Sequence, residues 1–245
     1  MTRLKQNDAA FVKKLNIIAF VFGIVIPLVN NFALELLRSS IYGDVLYETE
    51  AGLLGGLVDS VSFISVYVLS ALLINAYMRF GFDGGKKILL FSLCRCVIVY
   101  ASEVAIQLLL TRNFKNSLAD NLATVALNFA IEAGLFLVIL GVSKYLRQSY
   151  AKLNNTDITL KRVFDLKNPL TSVHFWSALL IGAVYLASNI ASSFSSDAPK
   201  EFLAAAYSYI RWAIRSVVGY FIMHLTAKYL EGLYAGKVVK TGKNK

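Results

Sequence analysis

The sequence predicts an all-α protein, a polytopic membrane bundle of six transmembrane helices, and three observations predict it. The first is six long apolar runs, at 15–37, 53–78, 88–111, 122–143, 170–193 and 202–227. A helix rises about 1.5 Å per residue, so each run can cross a hydrocarbon layer about 30 Å thick. The second is composition: 57% of the 245 residues are hydrophobic and 16% are charged, where a soluble domain carries about 25% charged residues. Mean hydropathy is +0.58. The third is where the cations fall. Arg3, Lys5, Lys13 and Lys14 precede run one, Arg79, Lys86 and Lys87 follow run two, and Lys144, Arg147 and Lys152 follow run four. Lys228, Lys237 and Lys240 follow run six, and the opposite side holds only Arg38, Arg112, Lys115 and Lys200. This is the positive-inside pattern, and it puts both termini in the cytoplasm.

The net charge of +10 therefore reads as a topology signal and a match to anionic lipid at the cytoplasmic face. Its distribution is not that of a nucleic-acid footprint. The six runs leave little chain over, so 1–245 reads as a single integral membrane domain. Run one is too long for the apolar part of a cleavable leader and is expected to stay as an anchor. A bacterial cytoplasmic membrane is the expected location.

Each element has its own local logic. In run one, Pro27 lies mid-helix after Gly23 and should kink it. Run two opens with Gly52, Gly55 and Gly56, which allow close helix approach, and places Asp59 and Ser62 on one face. Run three aligns Ser92, Arg95, Ser102 and Glu103 along one side. Its Cys94 and Cys96 flank Arg95 and point in different directions, so a mutual disulfide is geometrically poor and both read as small buried residues. Run four carries Asn121, Thr124, Asn128 and Glu132 at helical spacing. The 144–168 connection is a basic cytoplasmic loop in which Thr156 or Asp157 could cap a short interfacial helix. Run five starts after Pro169, where a missing N–H costs little, and carries His174, Ser177 and Tyr185 in register. Its Ala183, Ala187 and Ala191 form a small-residue seam. Run six aligns Ser208, Arg211, Arg215 and Gly219.

The even runs end in similar groups, Ala76-Tyr77-Met78-Arg79, Lys144-Tyr145-Leu146-Arg147 and Lys228-Tyr229-Leu230-Glu231. They hint at three repeated helical hairpins, although Tyr at a membrane interface is also ordinary. The Pro-x-Asp/Glu-x-x-Lys/Arg signature of mitochondrial carriers is absent, since Leu28 and Val29 follow Pro27.

Charges inside the runs carry the functional expectation. A charge at a helix centre costs about 2.5–3.5 kcal/mol, so such groups should face the bundle interior. Measured from the outer ends, Asp59, Glu103 and Arg211 lie about 9–14 Å deep and Glu132 and Arg215 about 15–20 Å deep. These five, with Asn128, form the expected ligand-binding or ion-coupling set. Arg95, His174 and His224 form a second, inner polar set, separated from the first by an apolar layer. Arg211 and Arg215, one turn apart, suit a carboxylate or phosphate.

The leading expectation is a small transporter or membrane solute-binding component for an anionic or zwitterionic molecule. A non-catalytic scaffold or accessory subunit of a larger complex is the alternative, because acids and arginines that pair could simply lock helices together. A lipid-modifying enzyme is third. The chain has no HExxH, no Gly-x-Ser-x-Gly and no Walker A sequence, so no catalytic residue, metal site or cofactor is expected. The expected partners are lipids, a small-molecule ligand and a protein subunit.

Overall fold

The computed structural model describes residues 9–34, 48–79, 85–106, 118–152, 172–194 and 202–242. They form six helices, and no strand occurs among them. Helix α1 runs Ala9–Phe20 and continues through Val21–Val25, Ile26–Leu28 and Val29–Leu34 as π, α and π segments. Helix α2 is Glu48–Ile74, extended by a π segment at Asn75–Arg79. Then come α3 (Gly85–Ile106), α4 (Leu118–Lys152), α5 (Val173–Phe194) and α6 (Phe202–Gly242).

Several boundaries differ from the sequence reading, each for a local reason. Pro27 is followed and preceded by π turns, and the Ile26 N–H reaches back to the Val21 carbonyl. The wider turn absorbs the clash and the missing donor that proline imposes. Helix α2 begins at Glu48, five residues before the apolar run at 53–78. The first part of the expected inner loop, 144–152, is the continuation of α4. That stretch contains no Gly or Pro to stop propagation. Likewise α6 has 41 residues, about 60 Å, roughly twice the hydrocarbon thickness. The capped interfacial helix expected near 156–164 lies outside the described residues.

Helix α2 is the centre of the molecule. It packs against all five others, while around it α1 touches α3, α3 touches α4, α4 touches α5 and α5 touches α6. Every residue from Ser65 to Ala76 is buried. Of the apolar stretch Ser60–Met78, 78% is buried, against 22% of Ala10–Asn31 and 28% of Val125–Ser149. A helix apolar on all sides is one enclosed on all sides. The even helices thus occupy unlike places, α2 central and α4 and α6 peripheral, which is not the equivalence a threefold hairpin repeat requires.

Contacts also fix direction. On α1 and α3, Gly23 abuts Phe91 and Asn31 donates to the Val99 carbonyl, so both advance together and the helices are parallel. On α2 and α5, Phe63 meets Tyr185 while Asn75 meets His174, so these are antiparallel. On α2 and α6, Phe63 meets Trp212 and Tyr67 meets Gly219, which is parallel. Ser62 reaches Glu132 through Arg95, and the Tyr77 carbonyl accepts from Arg147 at 2.8 Å. The two steps along α2 and α4 are equal, so these helices are parallel and in register. On α3 and α4, Arg95 meets Glu132 while Tyr100 meets Phe129, so these are antiparallel, and odd helices run one way and even helices the other.

The outward faces are apolar. On α6, Ile210, Ile214, Val217, Phe221 and Leu225 are exposed, while Trp212, Tyr220, Met223, Ala227 and Leu230 are buried. Three helices, at Ala10–Asn31, Ser60–Met78 and Val125–Ser149, are long and apolar enough to cross a membrane, and Val173–Ala187 is a shorter apolar helix. Such helices are compatible with an integral membrane protein.

The tight seam between α2 and α6 is testable. A Cβ on Gly219 would lie 2.1 Å from the Tyr67 ring, whereas one on Gly141 would meet nothing within 4 Å. Gly219→Ala should destabilise by about 1–3 kcal/mol, the cost of overpacking, and Gly141→Ala should not. Thermal unfolding of the detergent-solubilised variants measures both.

Candidate functional site

The deepest charges sit where α2, α3 and α4 meet. Arg95 and Glu132 form an ion pair with each side chain 2% exposed. Arg95 Nη2 donates to both the Ser62 carbonyl, at 2.9 Å, and its hydroxyl, at 2.8 Å. Glu132 Oε2 accepts from the Tyr100 hydroxyl at 3.1 Å, and Oε1 lies 3.5 Å from the Cys96 thiol. The residues Ser92, Cys96 and Tyr100 recur every four positions, so one face of α3 presents them together. Each acceptor of the carboxylate is thereby engaged, as a buried charge requires. Arg95 Nε is buried with no hydrogen-bond partner.

A second centre sits on the adjacent face of the same turn of α2, about 100° around the helix. The Arg215 guanidinium carbon lies 5.1 Å from the Phe63 ring centre and 5.0 Å from that of Trp212. The two rings are themselves 5.2 Å apart, so the cation caps the seam between them. Tyr185 stacks on Trp212 at 5.4 Å and 10°, and meets Phe63 at 5.2 Å. Tyr67 lies edge-on to Phe63 at 4.9 Å. Cation–π attraction of this kind strengthens when the cation is desolvated.

A third centre lies lower on α2. Asn75 Nδ2 donates to the Ala71 carbonyl at 2.7 Å and lies 3.3 Å from His174 Nε2. The short bond to Ala71 fixes which amide atom is nitrogen, so His174 Nε2 must accept and its proton belongs on Nδ1. Ser172 caps α5 through its hydroxyl, which accepts from the Phe175 N–H at 3.4 Å. Asn75 opens the π segment of α2, a geometry often found at functional positions.

The residues expected from sequence are thus distributed as follows. Glu132 and Arg215 lie at the level of Ser62 and Phe63. Arg95, grouped by sequence with His174 and His224, pairs with Glu132 instead; Ser62 and Asn75 mark levels about 20 Å apart along α2. His174 belongs to the lower level. His224 is partly buried on α6 and Asn128 is partly buried one turn before Glu132. Asp59, Glu103 and Arg211 lie on α2, α3 and α6, but their side chains are outside the described ones. Sequence reasoning missed Cys96 and Tyr100 as partners of Glu132, although their four-residue spacing was readable. It also missed Asn75 and the ring cluster at Phe63, for which hydropathy offers no signal. No group of three or more His, Cys, Asp or Glu side chains suited to a metal occurs among the described residues.

Compared with known proteins, the chain matches no family model, no curated protein and no solved structure.

The ion pair should behave as a unit. Removing one partner from a buried pair costs about 3–5 kcal/mol, whereas replacing both with apolar residues is often neutral. Arg95→Met and Glu132→Leu should each destabilise strongly, and the double variant should recover much of the loss. A double-mutant cycle on thermal unfolding measures that coupling.

Proposed function

We propose that this chain is a six-span protein of a bacterial cytoplasmic membrane, with both termini cytoplasmic, that binds an anionic or zwitterionic small molecule and carries it across. The observation that carries the reading is the cation of Arg215 set into aromatic rings at mid-length on α2 and in the first half of α6. Ionisable groups placed in apolar helices mark ligand or ion sites by default. Glu132 and Arg95, held beside the same turn of α2, supply counter-charge and are the groups available for proton coupling. Exposed Lys13, Lys14, Lys86, Lys87, Lys144 and Arg147 fit anionic headgroups at the inner face.

A scaffold or accessory subunit is the second reading, and one observation favours it. Arg95 and Glu132 are closed off by Ser62, Tyr100 and Cys96, the arrangement of a lock between helices. Native mass spectrometry of the gently extracted protein separates the two: a retained small molecule supports binding and transport, and a retained companion chain supports the scaffold. Arg215→Leu should abolish retention and uptake of the molecule while leaving membrane insertion intact. If Arg215→Leu instead leaves uptake unchanged, the transport site lies elsewhere.

A further inference from the structure

The polar contact that ties α5 to α2 is satisfied in only one charge state of His174. Asn75 and His174 are both fully buried. The Asn75 amide nitrogen carries two protons. One goes to the Ala71 carbonyl at 2.7 Å, and the other faces His174 Nε2 at 3.3 Å. His174 has a further interaction of its own, but Nε2 is the atom that meets Asn75. As a neutral ring, His174 accepts there. As an imidazolium it carries a proton on both nitrogens and accepts nothing, so two donors would face each other across the contact.

Asn75 cannot correct this by turning over. A reversed amide would offer Oδ1 to His174, but it would set the same oxygen against the Ala71 carbonyl in place of the nitrogen now bonded there. Either orientation leaves one buried pair mismatched, and unmet polar groups are costly in the interior.

The surroundings supply little counter-charge. His174 is the second residue of α5, where the helix dipole is positive. Among the described residues, the ionisable groups on the elements packed against this end of α5 are Arg79 on α2, Lys144 and Arg147 on α4, and His224, Lys228 and Glu231 on α6. Lys144 and Arg147 both engage Tyr77, two residues beyond Asn75. The tyrosines there, Tyr77 and Tyr220, are neutral below about pH 9. The ties between α5 and α6 are of another kind: Phe175 meets Tyr220, and Tyr185 stacks on Trp212. They do not depend on the charge of His174, so α5 stays with α6 when its contact with Asn75 is lost.

We propose that His174 is a proton site, and that its protonation unlatches the Ser172 end of the α5–α6 pair from α2. The site is separate from the Glu132–Arg95 pair and from Arg215, and the inference stands independently of the anion-binding reading. Acidification on the side marked by Lys144 and Arg147 opens that end of the bundle.

Spin labels on Tyr145→Cys in α4 and Leu179→Cys in α5, at positions 69% and 45% exposed, report the separation of the two elements. Cys94 is replaced by Ala, and the fully buried Cys96 is left in place. The detergent-purified protein should show one separation at about pH 8 and a longer or broader one at about pH 5, values that bracket the ordinary imidazole range. His174→Gln, whose amide oxygen accepts from Asn75 whatever the pH, should keep the alkaline separation at both. Asn75→Ala should give the acid distribution at both. His224→Gln, the control for the other histidine, should behave as the parent does. If Asn75→Ala fails to fold, the two histidine variants still decide. No change with pH in the parent, a response that survives in His174→Gln, or one lost in His224→Gln overturns the inference. A pH-dependent separation in protein that takes up no anion into proteoliposomes supports this site and removes the transport reading alone. Arg215-dependent uptake with a separation that ignores pH overturns this site alone.

Discussion

The enclosure of α2 is the constraint from which the rest of the structure follows. From Ser65 to Ala76 no residue of this helix faces outward, so its polar groups turn to its own backbone, as Ser65 does to the Val61 carbonyl, or to a neighbouring helix. That requirement explains the ring of contacts around it. Ser62 is satisfied by α3, Asn75 meets α5, the carbonyl of Tyr77 is satisfied by α4, and Phe63 and Tyr67 are packed by α5 and α6. Close approach on both sides depends on absent side chains: Gly23 lets α1 reach Phe91, and Gly219 lets α6 reach Tyr67. At its end, the Tyr77 carbonyl is among the last of the helix, which have no partner within it, and it is taken by Arg147, a cation well placed at a helix C-terminus.

How much of this could be read from the chain depends on the physics of an apolar environment. The six helices and their alternation were legible, because run length and cation placement are direct signals, and the contact registers reproduce the alternation. The central position of α2 was not. In a membrane, lipid and protein interior are equally apolar, so hydropathy does not tell an enclosed helix from a lipid-facing one. The readable clue was of another kind: Ser62, Ser65, Ser70 and Asn75 are spread around most of the perimeter of α2, which leaves it no broad apolar face for lipid. Helix ends were misjudged where hydropathy fell while helix-forming residues continued, as beyond Lys144 and Ala227.

The site was partly legible for the same reasons. Glu132, Arg95 and Arg215 stand out because a charge in an apolar run has no neutral explanation. Their pairing was hidden, since depth counted from run ends is sensitive to where each helix begins, and Arg95 was thereby assigned to the wrong level. The aromatic surroundings of Arg215 were hidden because Phe63, Tyr185 and Trp212 come from three helices and resemble any other apolar residues in a run.

The two centres on either side of α2 differ in how they resist displacement. On the α3–α4 side the contacts are directional. Arg95 binds Ser62 through two hydrogen bonds and Glu132 through an ion pair, and Tyr100 completes the carboxylate. A shift of about 1 Å there would misalign several charge-assisted bonds in a low-dielectric setting, where each is strong and expensive to leave unmade. On the α5–α6 side the contacts with α2 near Phe63 are ring on ring and cation on ring. Such contacts are less directional than a charge-assisted hydrogen bond and tolerate small sliding better. If the molecule alternates between two arrangements, the α5–α6 pair is the element that moves, pivoting about the Asn75–His174 contact that ties α5 to α2, and α2–α3–α4 is the frame it moves against. Arg215 rides on the moving element and Glu132 stays with the frame, so a ligand held at Arg215 would change its distance from the fixed carboxylate in each cycle. That gives the buried ion pair a reason to be rigid that applies equally to a carrier and to a scaffold. Mobility on the α5–α6 side belongs to the carrier alone.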